Sequence, residues 1–407
     1  MDRREFNKKL ASLATALAVN ESFAKTLNPQ GDQASGSNSD SISINGQPVV
    51  TMHRSQTGDR TQPEFLSATV IPGRGMNLFQ ATAYLPGKGE TALFMSPSLE
   101  EAAKLLTGIG VDAYGDKSHA FGGAFLVPFA NRIRGQVAPD GKTITARWHG
   151  KDVTLAANRG GTAQHIEPHA LHGLIMKTKT TRLAMTKTED GKTVVGEIDA
   201  GDYGGHWFSK SKISITVALS GKALDLSVVV KNVGDSAEPV GIGWHPYFAI
   251  PSGDLTQVRV HISGTKRVEV NNYQEVFPTG KLIPVKGTAY DFSEKGGALV
   301  QSQPHSFDDC FVDLKKEADD SSISEMIDPA AHIGMRLTAL SREINAVQLG
   351  CQPEGQHVCL EPQFNWADPF GKEWGGDDTH MATLLPGQSV TWRVRMELFV
   401  LGHEKLA

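Results

Sequence analysis

No apolar stretch in these 407 residues is long enough to cross a bilayer. The mild run from Leu10 to Val19 falls far short of a spanning helix. Cysteine is scarce, with Cys310, Cys351 and Cys359 only, and an odd count excludes a fully paired intramolecular set. None of the three forms a C-x-x-C pair, so a zinc knuckle is not indicated. Cys351 and Cys359 could pair across a hairpin in an exported protein, and buried free thiols are the alternative. No basic stripe stands out at a net charge of −5 and a pI near 6.3, which argues against a nucleic-acid partner. There is no G-x-G-x-x-G after a strand, no P-loop and no H-E-x-x-H. Nicotinamide, nucleotide phosphate and metal therefore have no motif to hold them. Helical periodicity is sparse. The best candidate is Ser98 to Leu106, with Ser98 as cap and Glu100-Glu101 in the first turn.

What is present is turn chemistry and alternation. Gly (42) and Pro (20) are plentiful, as suits many turns between short strands. Hydrophobic residues make up 39% and charged residues 21%, enough apolar side chains for a sizeable core. Ile213, Ile215, Val217 and Leu219 alternate with small or polar residues. Leu224, Leu226, Val228 and Val230 do the same after Ser220-Gly221, a hairpin signal in which Gly would supply a positive φ. Val258, Val260 and Ile262 alternate, as do Val390, Trp392, Val394, Met396, Leu398 and Val400. Asp140-Gly141 and Asp190-Gly191 mark further reversals. One apolar face and one polar face per strand belong to antiparallel sheets. With no internal repeat and no second linker, the chain reads as one all-β domain, a sandwich larger than an immunoglobulin domain.

The N-terminus reads as an address. Arg3-Arg4 with Phe6 and Lys8, the apolar run and small residues at Ser22-Phe23-Ala24 predict a twin-arginine-type signal over 1–24 and export, to the periplasm or beyond. Asn7 departs from that pattern, and a cytoplasmic protein with a disordered leader is the other reading. Residues 25–46, rich in Ser, Asn, Asp and Gly, predict a flexible linker ahead of a domain over 47–407.

Polar residues set among apolar, turn-rich neighbours mark candidate sites. They occur in Pro128-Phe129-Ala130-Asn131-Arg132-Ile133, Leu171-His172-Gly173, Trp244-His245-Pro246-Tyr247-Phe248, Phe307-Asp308-Asp309-Cys310-Phe311-Val312 and Leu360-Glu361-Pro362-Gln363. Singly, each has a bland explanation: an ion-paired arginine, a turn or core histidine, a loop aspartate, an exposed strand carboxylate. Together and in this order they resemble the aldose 1-epimerase family, which includes galactose mutarotases. The resemblance spans roughly residues 64 to 400. Smaller echoes are Leu155-Ala156-Ala157-Asn158 and Leu385-Pro386-Gly387-Gln388.

The resemblance implies a large antiparallel β-sandwich of the galactose mutarotase type. It implies catalysis by Glu361 as base and His245 as acid. His172 would line the sugar, and Arg132, Asp308 and the neighbouring Asn131 would bind hydroxyls. The substrate would be a free aldose such as glucose or galactose, with no cofactor and no metal. Mutarotation removes a proton from the C1 hydroxyl and adds one to the ring oxygen, then reverses both, so a carboxylate and an imidazolium suffice. Asp309, Ala249 and Phe364 depart from the family pattern and leave the sugar's identity open. Phe129, Trp207, Trp244, Tyr247 and Trp366 are candidate pocket walls, although aromatics of this kind also fill cores. A phosphohexose substrate would call on extra cations such as Arg134 and Arg159. A glycosidase would use Asp308 with Glu361, and a binding protein would keep the pocket without turnover. The sequence leaves the oligomeric state undetermined.

Overall fold

The alternating segments form antiparallel strands in a computed structural model, which describes residues 42–162, 164–301, 306–352 and 355–402. The expected signal and nearly all of the expected linker lie outside the described residues. The last residues assigned to that linker do not read as tether: Ser43–Ile44 pairs with Gln47–Pro48, and Ile44 is buried.

Among the described residues two large sheets dominate. The first has nine strands, in the order Arg182–Thr188, Gly191–Gly201, Ser211–Leu219, Ala223–Asn232, Ser389–Val400, Ile333–Ala339, Ser322–Asp328, Arg259–Ile262 and Ala298–Leu299. The second has eleven. Pro278–Pro284, Gly264–Val270, Phe307–Leu314, Ala346–Cys351, His357–Gln363, Gly243–Ala249, Gly123–Leu126, Asn77–Leu85, Glu64–Ile71 and Val50–His53 follow in order, and Gly89–Ala92 pairs with Asn77–Leu85. One apolar cluster joins the two sheets. Leu226, Val228 and Trp392 enter it from the first, and Trp244, Phe248, Leu349 and Leu360 from the second. The chain is a β-sandwich, as the alternation predicts.

The hairpin predicted at Ser220-Gly221 joins Ser211–Leu219 to Ala223–Asn232, with Leu219 opposite Leu224. The reason for glycine there differs from the expectation. Gly221 does not adopt a positive φ. A Cβ at this position would sit 2.8 Å from the Arg54 guanidinium, so the residue is small to admit a neighbour. Gly141, by contrast, has φ 67° and turns the chain as expected. The predicted helix is found at Leu99–Leu105, and the Ser98 hydroxyl accepts the Glu101 backbone N–H at 3.2 Å.

The strand His357–Gln363 shows how the second sheet differs. Val358 and Leu360 face the inter-sheet core, while Cys359, Glu361 and Gln363 alternate to the other face, and all are buried. That outer face is covered. Arg132–Ile133, Ile166–Leu171 and Arg159–Gly161 form one small sheet, and Gln136–Val137, Thr143–Trp148 and Lys151–Ala156 another. Ala130 and Met176 pack there against Ala124 and Leu126. The cysteines are all free and buried. Cys359 lies across from Gly350, so Cys351 and Cys359 project from opposite faces, and a disulfide between them is not formed.

Candidate active site

Sheet register assembles the catalytic candidates. Glu361 pairs with Gln348 on one side. On the other, the pairs Gly243–Gln363 and Tyr247–Cys359 bracket His245 opposite Glu361. Cys310 pairs with Gln348, and His245 with Ala124. One row across the covered face therefore reads Cys310, Gln348, Glu361, His245, Ala124. His245 Nε2 lies 3.3 Å from Glu361 Oε1, with side-chain exposures of only 7% and 5%. Pro246 holds the backbone of His245 extended, and the sheet holds both strands, so the pair is rigidly mounted.

Burial dominates the electrostatics. It pushes the Glu361 carboxyl well above the usual carboxylate range; the Asp308 charge raises it further and Arg132 opposes. It lowers His245 to about 4, against a raising contribution from Asp308. Both shifts favour neutral forms. Together they favour one proton shared by the pair, resting on the carboxyl and movable to the imidazole across the short contact.

Arg132, Asn131, Gln348 and Asp308 close a ring of hydrogen bonds beside this pair. Arg132 donates to Asp308 Oδ2 at 3.2 Å and to Asn131 Oδ1 at 2.8 Å. Asn131 donates to Gln348 Oε1 at 2.9 Å, and Gln348 donates to Asp308 Oδ1. Asn131 takes a left-handed backbone, φ 61°, and so does His172, φ 64°. For histidine that conformation costs on the order of 1 kcal/mol or more, strain of the kind found at functional sites. The His172 N–H is caught by the Asn131 carbonyl at 2.8 Å. Gly173 follows because a Cβ there would meet the Val127 carbonyl oxygen at 2.5 Å. The His172 ring comes to rest 4.8 Å from the His245 ring.

A third imidazole completes the group. His119 lies 4.9 Å from the His172 ring and 5.5 Å from that of His245. Its short 3-10 segment, Asp116–Ala120, is pinned from behind. Arg74 donates to Ser118 Oγ at 2.8 Å and pairs with Asp112 at 2.8 Å, both side chains essentially fully buried. Breaking such a pair costs about 3–5 kcal/mol, which fixes where His119 can be. The Nδ1 atoms of His119, His172 and His245 are buried without a hydrogen-bond partner among the described residues. Burial pushes His119 and His172 well below the ordinary histidine range, and the His245 charge adds to this. Both would meet a ligand as neutral rings.

The six predicted site residues therefore fall in one place. The aromatic candidates do not all follow. Trp244 faces the inter-sheet core, opposite to its neighbour His245. Phe129 stacks on Trp207 at 5.7 Å in a separate buried cluster, and Trp366 packs on Trp374 at 5.1 Å. Tyr247, whose ring is 5.0 Å from that of His245, is the aromatic beside the pair. Asp309 projects away from Asp308, as alternation requires, and is paired with Arg267 at 3.2 Å. Arg134, a possible phosphate cation, is held by Asp368 and Glu373.

Sequence reasoning missed His119, Gln348, Asn365 and Asp368. Asn365 bridges both backbone groups of Ala130, and Asp368 accepts from the Arg134 backbone N–H while its own N–H reaches the Arg132 carbonyl. Gln348 alone carried a signal, as the one long polar side chain in Ala346–Cys351.

Residues 97–397 match the aldose 1-epimerase family profile. A maltose epimerase of Levilactobacillus brevis is 29% identical over 216 residues, which cover 51% of this chain and 59% of that relative. The chain thus matches less than two thirds of that relative's length. A galactose mutarotase-like protein from Clostridium acetobutylicum superposes with a TM-score of 0.63 at 17% identity, covering 87% of this chain and 98% of the other. An aldose epimerase homologue from C. elegans does so with a TM-score of 0.63 at 16% identity, over 87% and 99%. With this profile match over most of its length, on the corresponding fold, the chain belongs to the aldose 1-epimerase family.

Proposed function

We propose that the protein interconverts the α and β anomers of a free reducing sugar by opening and re-closing its ring. The observation that carries this is the buried His245–Glu361 contact of 3.3 Å. The hydroxyl oxygen at C1 and the ring oxygen share one carbon, so the groups that serve them must be close neighbours. Glu361 as carboxylate takes the C1 hydroxyl proton while His245 as imidazolium protonates the ring oxygen. The C1–O5 bond breaks, the aldehyde turns about C1–C2, and re-closure on its other face returns both protons. The pair's single proton is the one this cycle needs. Arg132 and Asp308 bind hydroxyls, held in place by Asn131 and Gln348. His172 and His119, kept neutral, receive further hydroxyls without competing for that proton.

Other chemistries fit less well. A glycosidase needs a second carboxyl free to donate or attack. Both oxygens of Asp308 are already engaged, by Arg132 and Gln348. A phosphorylated sugar needs cations to spare, and Arg134 already carries two carboxylates, which leaves Arg159 alone of the two candidates. Pure binding would not require the acid and base. The relative named for maltose makes a reducing disaccharide a candidate beside glucose, galactose and xylose. Freshly dissolved α-glucose, α-galactose, α-xylose and α-maltose, followed by optical rotation, test the reading. Accelerated decay for at least one of them is expected, and folded protein that accelerates none would refute it.

No helix among the described residues is long and apolar enough to cross a membrane. Export of the folded protein is part of the same proposal and rests on Arg3-Arg4. Lysines in their place should retain the precursor inside. Recovery of the unaltered protein from the cytoplasm with its N-terminus intact would end that part.

A further inference from the structure

The row that carries Glu361 and His245 has a third reactive neighbour that mutarotation does not use. Cys359 lies two residues before Glu361 on the same strand, so alternation sends its thiol to the same covered face. The donor atoms of His245, Cys359 and Glu361 all lie within 4.8 Å of one another, and all three residues are buried. We propose that these three side chains form a site for zinc or a similar borderline-soft divalent cation, whose occupancy excludes the sugar and reversibly silences the enzyme.

The donor set selects the ion. Thiolate and imidazole favour zinc-class metals over magnesium or calcium, which want oxygen alone. The thiolate and the carboxylate carry two negative charges, so a dication leaves the buried site neutral, and the protons they release pass to solvent. Tetrahedral zinc, with bonds of about 2.0–2.3 Å, sets its donors roughly 3.5 Å apart. Nε2 of His245 and Oε1 of Glu361 already meet that at 3.3 Å, and small side-chain rotations bring in the sulfur. Tyr247 stands directly opposite Cys359 in the sheet register and on the same face, a neighbour placed to give the outer support that orients metal ligands. Three protein ligands leave the fourth position for water, on the side where the sugar would sit. The other cysteines do not share this setting: Cys351 faces the inter-sheet core, and Cys310 lies beyond Gln348.

Cobalt(II) titrated into chelator-treated full-length protein reads the site directly, because a cobalt–thiolate bond gives a charge-transfer band. Saturation at one cobalt per chain is expected, with zinc displacing it. The band should vanish in Cys359→Ala and Cys359→Ser and persist in Cys351→Ala, with folding checked by circular dichroism. Zinc should slow anomer exchange by the unaltered protein, excess sugar should protect, and Cys359→Ala should need at least tenfold more zinc for the same inhibition. Absence of a thiolate band in folded protein overturns the proposal, and so does a band that survives loss of Cys359. The competition arm rests on the mutarotation reading, whereas the cobalt arm does not. Failure of polarimetry alone would leave the metal site standing, and failure of the cobalt band would leave the enzyme standing.

Discussion

The two large sheets obey the same strand geometry and differ in what their outer faces meet. In the nine-stranded sheet, Ser211–Leu219 buries Ile213, Ile215, Val217 and Leu219, while the residues between them are exposed or partly exposed. In the eleven-stranded sheet, His357–Gln363 is buried on both faces, apolar on one and acid, thiol and amide on the other. Water is a cheap neighbour for polar groups, and a covered face is not. Glu361, His245 and Gln348 keep buried polar atoms at a cost that a purely structural strand would avoid with apolar residues. On the proposed reading, the first sheet is scaffold and the second holds the chemistry. Substitutions should separate the two by moving kinetics in one and stability in the other.

The largest kinetic effect is expected at Glu361. Glu361→Gln keeps the shape and removes the basicity, so kcat should fall about a hundredfold or more. Circular dichroism and urea midpoint should stay near those of the unaltered protein, because the neutral carboxyl is already the favoured form. Near-normal polarimetric rates in folded Glu361→Gln would remove Glu361 from the base role.

His245 and the two other imidazoles come next, and they should divide. His245→Gln loses a proton transfer that occurs only along the reaction path, so turnover should drop by about tenfold to a hundredfold with sugar affinity little changed. His172→Gln should weaken binding and turnover together, since a positioning contact serves ground and transition states alike. His119→Phe keeps a ring on the Arg74-pinned segment and should resemble His172→Gln in milder form. Saturation kinetics with binding measured separately decide this. Abolished turnover with intact binding in His172→Gln, alongside a pure binding defect in His245→Gln, would exchange the two roles.

How legible each part was follows from the same contrast. Strands with one wet face write their alternation into the sequence, so Ser211–Leu219, Ala223–Asn232 and Ser389–Val400 could be placed by period alone. The strand His357–Gln363 shows no such period, because neither face is wet. Glu361 became visible only through the resemblance carried by Leu360-Glu361-Pro362-Gln363. His119 stayed hidden because a histidine in a Gly-rich loop has no periodicity. Its placement depends on Arg74, Asp112 and Ser118, which meet only after folding. At Gly221 the sequence marks the turn but not the reason for glycine, since the neighbour that demands smallness, Arg54, is distant in sequence.

The pH profile should respond to Asp308 with a smaller shift of definite sign. In the pair as it stands, acid adds a second proton and removes the base; alkali removes the last proton and with it the acid. The rate should therefore be bell-shaped, with an acid limb linked to the group at about 4 and an alkaline limb set by the raised Glu361 carboxyl. Asp308 raises both groups. Asp308→Asn removes that charge and unmasks Arg132, so both limbs should move to lower pH. The Asp308 side chain is 42% exposed, so screening should hold the displacement below about one unit. A kcat/KM–pH profile displaced toward alkali would contradict the assignment of Asp308 as the neighbouring charge.

The smallest effect tests the scaffold alone. Gly221 turns the hairpin between two strands of the nine-stranded sheet, and a Cβ there would lie 2.8–2.9 Å from Arg54 Nη2, Cζ and Nη1. A long side chain could normally swing aside. Arg54 cannot do so freely, because its guanidinium is paired with Glu64 and with Asp190 at 2.6 Å, and Asp190 also accepts the Gly221 N–H at 3.0 Å. Gly221→Ala must therefore either push the arginine off its partners or open the turn. Against this stands a gain of up to about 1 kcal/mol from restricting the unfolded chain, since the native φ suits alanine. The pairs are partly buried and charged, so the loss should win, leaving a net destabilisation of about 1 kcal/mol. A lower urea midpoint with unchanged kcat and sugar affinity is the expected result. In an Arg54→Ala background, which itself loses the pairs with Glu64 and Asp190, Gly221→Ala should cost nothing further, because the clash has no partner. If Gly221→Ala instead lowers kcat at unchanged stability, the division between a scaffold sheet and a chemical sheet does not hold at this turn.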